Sequence, residues 1–151
     1  MNKELLEIKK QMQGARNILK DLQGIQVIHL YEPGEGTIAQ INLEKMGVLS
    51  GYKEPDMVLE YNETYQTVAD FLKVKTGLAN GQKIYLLLSN GIWSEVQILD
   101  VDQFIKSYFH SEYRNSFGIA FIDSDMKKMY EYGSDSRDEY HLLYDEYEVL
   151  F

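Results

Sequence analysis

The dipeptide Asn90-Gly91, set between the β-rich runs 84–89 and 92–98, constrains the fold more than any other stretch of this chain. Both residues tolerate positive φ, so the spacing predicts a two-residue hairpin of type I′. Strands joined by so tight a turn run antiparallel, which commits this part of the chain to an antiparallel sheet. In that register Trp93 stands across from Leu88, and on its own strand it shares a face with Glu95 and Gln97 rather than with Ile92, Val96 and Ile98. A tryptophan on the more polar face is a candidate partner-binding anchor. Leu86 and Leu88 would project from the same face, and a helix laid over them would turn Trp93 into core.

Helix and hairpin signals alternate along the rest of the chain. Leu5, Ile8, Met12, Ala15, Leu19 and Leu22 are spaced three and four apart and predict a helix ending near Gly24. Residues 25–31 and 37–43 read as a hairpin through Glu32-Pro33-Gly34-Glu35-Gly36, followed by an irregular stretch over 45–61 with one short strand at 57–60. Behind a cap at Asn62, Tyr65, Val68, Ala69 and Leu72 mark a helix that Gly77 can close in the left-handed conformation. Asp100 with Gln103 opens another helix, with Val101, Phe104, Ile105 and Tyr108 inward. Residues 117–122 and 127–132 form a third hairpin around Asp123-Ser124-Asp125.

At the C-terminus, Tyr140, Leu143, Tyr144 and Tyr147 fall at i, i+3, i+4 and i+7 behind a Ser136/Glu139 capping box, which favours a helix over a strand. That helix would turn Asp138, Glu139, Asp145 and Glu146 outward. The expected product is a single α+β domain of 151 residues. In it an N-terminal helix precedes three β-hairpin-plus-helix units that form a curved, mainly antiparallel sheet with packed helices. The units share no side-chain pattern, so their repetition is architectural only. Glu148-Val149-Leu150-Phe151 resembles the body of the Leu-Glu-Val-Leu-Phe-Gln site used to remove expression tags, with Tyr147 where that site has Leu. Read so, residues 148–151 would stand outside the fold.

Few motifs carry chemistry. There is no cysteine, which removes disulfides, thiolate metal sites and cysteine nucleophiles. His29, His110 and His141 sit on three different predicted elements, none in a nucleophile or metal motif. Asp123 and Asp125 offer oxygen ligands to Mg²⁺ or Ca²⁺, and equally serve a turn by bonding the local backbone. The glycine-rich segment 33–36 lacks the Lys and Ser/Thr of a phosphate-gripping loop and places a carboxylate where phosphate would be repelled. No motif calls for a cofactor.

Charge is the strongest asymmetry. The chain holds 24 acids against 15 bases, a formal net charge of −9, which argues against direct nucleic-acid binding and would steer a basic protein toward it. Residues 1–20 carry a surplus of three positive charges, whereas residues 131–148 carry a surplus of six negative ones. The N-terminal MNKELLEIKK lacks the apolar centre of a signal peptide, and residues 84–88, the longest apolar run, are too few to span a bilayer, so a soluble cytoplasmic protein is expected.

These features favour a non-enzymatic inhibitor or immunity-type protein. It would block a basic, nucleic-acid-handling partner through Asp138, Glu139, Asp145, Glu146 and Trp93, the acids giving speed and the aromatics contact area. Two other classes stay open. One is a domain that binds a small molecule in an apolar pocket, with a homodimer through the first helix. The other is an enzyme in which two or more of Asp123, Asp125, His110 and His141 converge in one cleft.

Overall fold

A computed structural model describes residues 2–48, 53–60, 64–110, 118–135 and 137–151. Among these the chain forms helix α1 (Lys3–Lys20), strand β1 (Ile25–Leu30), a 3₁₀ turn (Thr37–Gln40), the short helix α2 (Leu43–Met46), β2 (Met57–Glu60), α3 (Tyr65–Thr76), β3 (Lys83–Leu87), β4 (Trp93–Ile98), α4 (Val101–His110), β5 (Ile119–Asp123), β6 (Lys128–Asp135) and β7 (Asp138–Glu148). The seven strands make one open sheet in the order β1-β4-β3-β5-β6-β7-β2, with every neighbouring pair antiparallel. The single α+β domain with an N-terminal helix and an antiparallel sheet is therefore the architecture of the protein.

Successive strand residues alternate between two apolar layers. Ile84, Leu86 and Leu88, Val96 and Ile98, Ile119 and Phe121, and Tyr130, Tyr132 and Tyr144 join Met12, Ala15, Ile18 and Leu19 of α1, Val68, Ala69 and Leu72 of α3, and Phe104 and Ile105 of α4 in the main core. The intervening Leu87, Ala120, Ile122, Met129 and Tyr147 turn to the opposite face, where Ile38, Ile41, Leu43 and Met46 cover them. A fully buried Leu, Ile or Phe contributes about 2 kcal/mol relative to an exposed one, so the helix-side layer supplies most of the cohesion. The apolar stripe of α1, the surface a homodimer through the first helix would use, is taken up by the chain's own core. Leu5 and Leu6, near its N-terminal end, remain 48% and 43% exposed.

Several local expectations hold for their stated reasons. Gly77 caps α3 with φ 72°, and the Asp100 carboxylate accepts from the Gln103 N–H at 3.0 Å. Thr64 is the N-cap of α3; Asn62, the expected cap, lies outside the described residues. The β5–β6 hairpin turns through Asp123, Ser124 and Asp125, with Met126 at φ 58° and its N–H bonded to the Asp123 carbonyl.

Four expectations are corrected. Residues 37–43 form no strand: β1 pairs with β4, from Ile25 opposite Ile98 to Leu30 opposite Ser94, and Ile38 and Ile41 pack onto the sheet instead of joining its ladder. The β3–β4 loop holds three residues, because the Leu88 N–H bonds the Ile92 carbonyl and the Gly91 N–H, at φ 85°, bonds the Leu88 carbonyl. That is a turn followed by a left-handed bulge residue, and it shifts the register by one, setting Trp93 opposite Leu87. The C-terminal helix is the eleven-residue strand β7, paired along β6 and, at its outer edge, with β2. Both faces of β7 are covered, so Leu143, Tyr144 and Tyr147 are all buried and the strand loses its two-residue alternation, leaving a pattern that mimics a helix. Ser136 of the expected capping box lies outside the described residues. Residues 148–150 belong to the fold: Val149 is buried, its N–H donates to the Lys127 carbonyl at 3.0 Å, and Leu150 accepts from the Asn42 N–H at 2.8 Å.

Candidate functional site

Strand geometry separates the five expected partner-binding residues. Asp145 is completely buried and pairs with Lys53 at 3.1 Å and with the Arg137 guanidinium. An outward role for it is therefore corrected. Asp138 takes a hydrogen bond at 2.7 Å from His141, whose other ring nitrogen lies 3.5 Å from Glu60. Glu146 accepts from the Tyr144 hydroxyl at 2.8 Å and has Lys128 at 3.8 Å. The backbone of Glu139 is part of β7, and its side chain lies outside the description. Of this negative block, Asp145 and Glu146 thus have cationic partners, and Asp138 is held by a histidine. Trp93, on β4, stands four strands away from β7, about 19 Å along the hydrogen-bonding direction, so these residues make no single patch.

What Trp93 does join is the face of β1, β4 and β3 that points away from α1, α3 and α4. The register places His29 opposite Glu95, Glu95 opposite Tyr85, and Trp93 opposite Leu87. Tyr31 follows β1 and is fixed beside Trp93 by its N–H bond to the Trp93 carbonyl at 3.0 Å. The covering segment buries Leu87; Tyr31, Tyr85 and Trp93 rest partly buried against the same cluster, and Glu95 and Gln97 are half-buried beside them. Here the rings gather: His29 and Tyr31 meet edge to face at 4.5 Å between centroids, and Tyr31 and Tyr85 are 6.3 Å apart.

Two carboxylates mark the electrostatics of this face, with Lys83 on the same side of β3 two positions from Tyr85. The Tyr31 hydroxyl donates to Glu95 Oε2 at 3.3 Å, and among the described residues no lysine or arginine pairs with that carboxylate. Glu35 adds a second carboxylate, 2.6 Å from His29 Nε2, with the Glu32 N–H bonded to its other oxygen at 2.8 Å. That backbone bond first, and His29 second, hold the Glu35 carboxyl below its ordinary pKa. Burial first, and the Glu95 charge second, push the Tyr31 phenol up to about 12. The same two causes raise Tyr85. Both phenols are therefore neutral at physiological pH and serve as hydrogen-bonding, ring-bearing contacts rather than charges.

Next to the patch, at the β3–β4 loop, lies a half-open pocket of about 220 Å³ whose walls include Gln11, Tyr31, Pro33, Ile38, Ile41 and Trp93. Sequence reasoning selected Trp93 but missed Tyr31, Tyr85 and Glu95, because their meeting depends on the β1–β4 pairing. The four candidates for an enzyme do not converge among the described residues. Asp123 and Asp125 flank the β5–β6 turn, whereas His141 belongs to the other end of β7, and the His110 side chain lies outside the description. No group of three or more His, Asp or Glu able to hold a metal occurs among the described residues, and no described helix is long and apolar enough to cross a membrane. Compared with known proteins, the chain matches no family model, no curated protein and no solved structure.

Proposed function

We propose that the chain is a small, acidic, non-enzymatic binding protein of the inhibitor or immunity type. It works in the cytoplasm and occupies the cationic surface of a basic protein partner. Nucleic-acid-handling proteins are the natural class, because their phosphate-binding clefts concentrate Lys and Arg. The observation that carries this reading is the half-covered face of β1, β4 and β3, where Glu95 lies among Tyr31, Tyr85 and Trp93 and, among the described residues, pairs with no lysine or arginine. Tyr and Trp give large contact area at small entropic cost, and an uncompensated carboxylate in their midst selects positive charge. The net charge of −9 adds long-range steering toward such a partner.

Capture from native-host lysate with quantitative mass spectrometry, at low and high salt, tests the reading. A discrete basic protein held by the wild type, weakened by salt and lost with Glu95→Gln supports it. Retention of the same protein by Glu95→Gln would remove this face from the account.

The pocket beside Trp93 favours a second reading, a small-molecule binding domain, its walls mixing Ile38, Ile41 and Trp93 with the polar Gln11, Glu32 and Asn90. A thermal-shift screen of nucleotides and metabolites decides this one: a ligand that binds only the folded state raises the melting temperature, and Trp93→Ala should cancel the rise.

A further inference from the structure

Three features of the half-covered face narrow the chemistry of what it receives. The first is Glu95, half-buried on β4, whose carboxylate meets only the Tyr31 hydroxyl at 3.3 Å among the described residues. The second is the pair of neutral phenol rings on its two sides of the sheet, Tyr31 beside β4 and Tyr85 directly opposite on β3, with centroids 6.3 Å apart. The third is that no other cation is seated on that carboxylate: among the described residues Lys83, exposed on the same face of β3, forms no ion pair with it, and His29 is engaged with Glu35 at 2.6 Å.

We infer that this face is a receptor for one arginine side chain of the partner, its guanidinium set against the Glu95 carboxylate and flanked by the rings of Tyr31 and Tyr85. The inference rests on the basic-partner reading above and names the group recognised. Arginine fits better than lysine on three physical grounds. Its planar fork can donate two parallel hydrogen bonds to one carboxylate. It stacks on aromatic faces, and a cation near a ring gains most where water is partly excluded, as it is here. Its guanidinium is also less strongly hydrated than an ammonium, so moving it into a half-buried site costs less.

Blocked arginine, N-acetyl-arginine methylamide, tests this on the full chain with ring-labelled tyrosine followed by NMR, against the blocked lysine equivalent. The arginine probe should move the Tyr31 and Tyr85 ring signals saturably in the millimolar range, with lysine several-fold weaker. Glu95→Gln, nearly isosteric and half-exposed, should weaken the probe about tenfold or more, as expected for a lost charged hydrogen bond. Tyr85→Leu should weaken it several-fold, and Asp138→Asn on the far side of the sheet should leave it unchanged.

Ring signals that stay still, equal titration by lysine, or binding that survives Glu95→Gln in a variant of unchanged melting temperature would overturn the arginine receptor. The two levels fail separately. A silent probe, with lysate capture still abolished by Glu95→Gln, removes the arginine receptor and keeps the basic partner. Probe binding, with capture indifferent to Glu95, keeps the receptor and removes this face as the docking surface.

Discussion

Lys53 reaches the buried carboxylate of Asp145 at 3.1 Å across 92 positions of sequence. The same ammonium bonds Asp56 at 2.8 Å, while Arg137 holds the other Asp145 oxygen and donates to the Lys53 carbonyl at 2.9 Å. Asp56 in turn accepts from the Glu146 N–H at 2.8 Å. This network fastens the chain ahead of β2 to the β6–β7 ribbon, so the densest part of the acidic terminus is a structural clasp. Asp145→Asn leaves two cations facing a neutral amide and should cost about 3 kcal/mol, in the range for breaking a buried pair. Denaturant unfolding measures it. A loss below about 1 kcal/mol, typical of exposed pairs, would contradict the clasp.

Gly118 leads into β5 at φ +70°, and a Cβ there would run into the Tyr132 carbonyl and stand 2.7 Å from the Gly133 Cα. Its own carbonyl is fixed by the Tyr108 hydroxyl at 2.6 Å, which limits retreat. Gly118→Ala should therefore cost more than about 2 kcal/mol, combining left-handed strain with a backbone clash. A melting temperature equal to wild type would show that the β5–β6 edge yields.

Stability should fall steeply at alkaline pH. Tyr31 and Tyr130 are each pushed up to about 12, by burial first and then by Glu95 or Asp123 respectively, and burial also raises Tyr108 and Tyr144. Burial opposes the charge of Lys53, but its bonds to Asp56 and Asp145 raise its pKa overall. All these groups hold their protons longer when folded. Their contribution is complete below the ordinary tyrosine value of 10.0 and is lost as pH rises through the folded values. Denaturation midpoints should be steady up to about pH 10 and decline beyond it. Glu95→Gln should move the Tyr31 titration down without restoring the ordinary value, because burial is the larger cause. A Tyr31 midpoint unmoved by that substitution would separate the two groups.

Much of the fold was legible because its signals are local. The stripe from Met12 to Leu19, Asp100 facing the Gln103 N–H, Gly77 at the end of α3 and the β5–β6 turn each depend on residues within a few positions. What misled was non-local. Tyr140, Leu143, Tyr144 and Tyr147 count as a helix only while β7 is assumed to have one covered face, and the 31–48 segment covers the second. Ile38 and Ile41 are β-branched because they pack on a sheet, not because they extend one. Asp145 looked like surface for the same reason: nothing near it in sequence announces Lys53. The candidate site shows the same division, with Trp93 visible as a tryptophan on the more polar face and Tyr31 and Glu95 brought together only by pairing across 64 positions.

Hydrogen–deuterium exchange of the chain alone and in complex with the basic protein it captures tests the central claim most directly. Protection on binding should concentrate in residues 27–31, 83–87 and 93–97, and leave 138–148 at its unbound level. Protection centred on 138–148, with the first three segments unchanged, would contradict a docking surface built around Glu95.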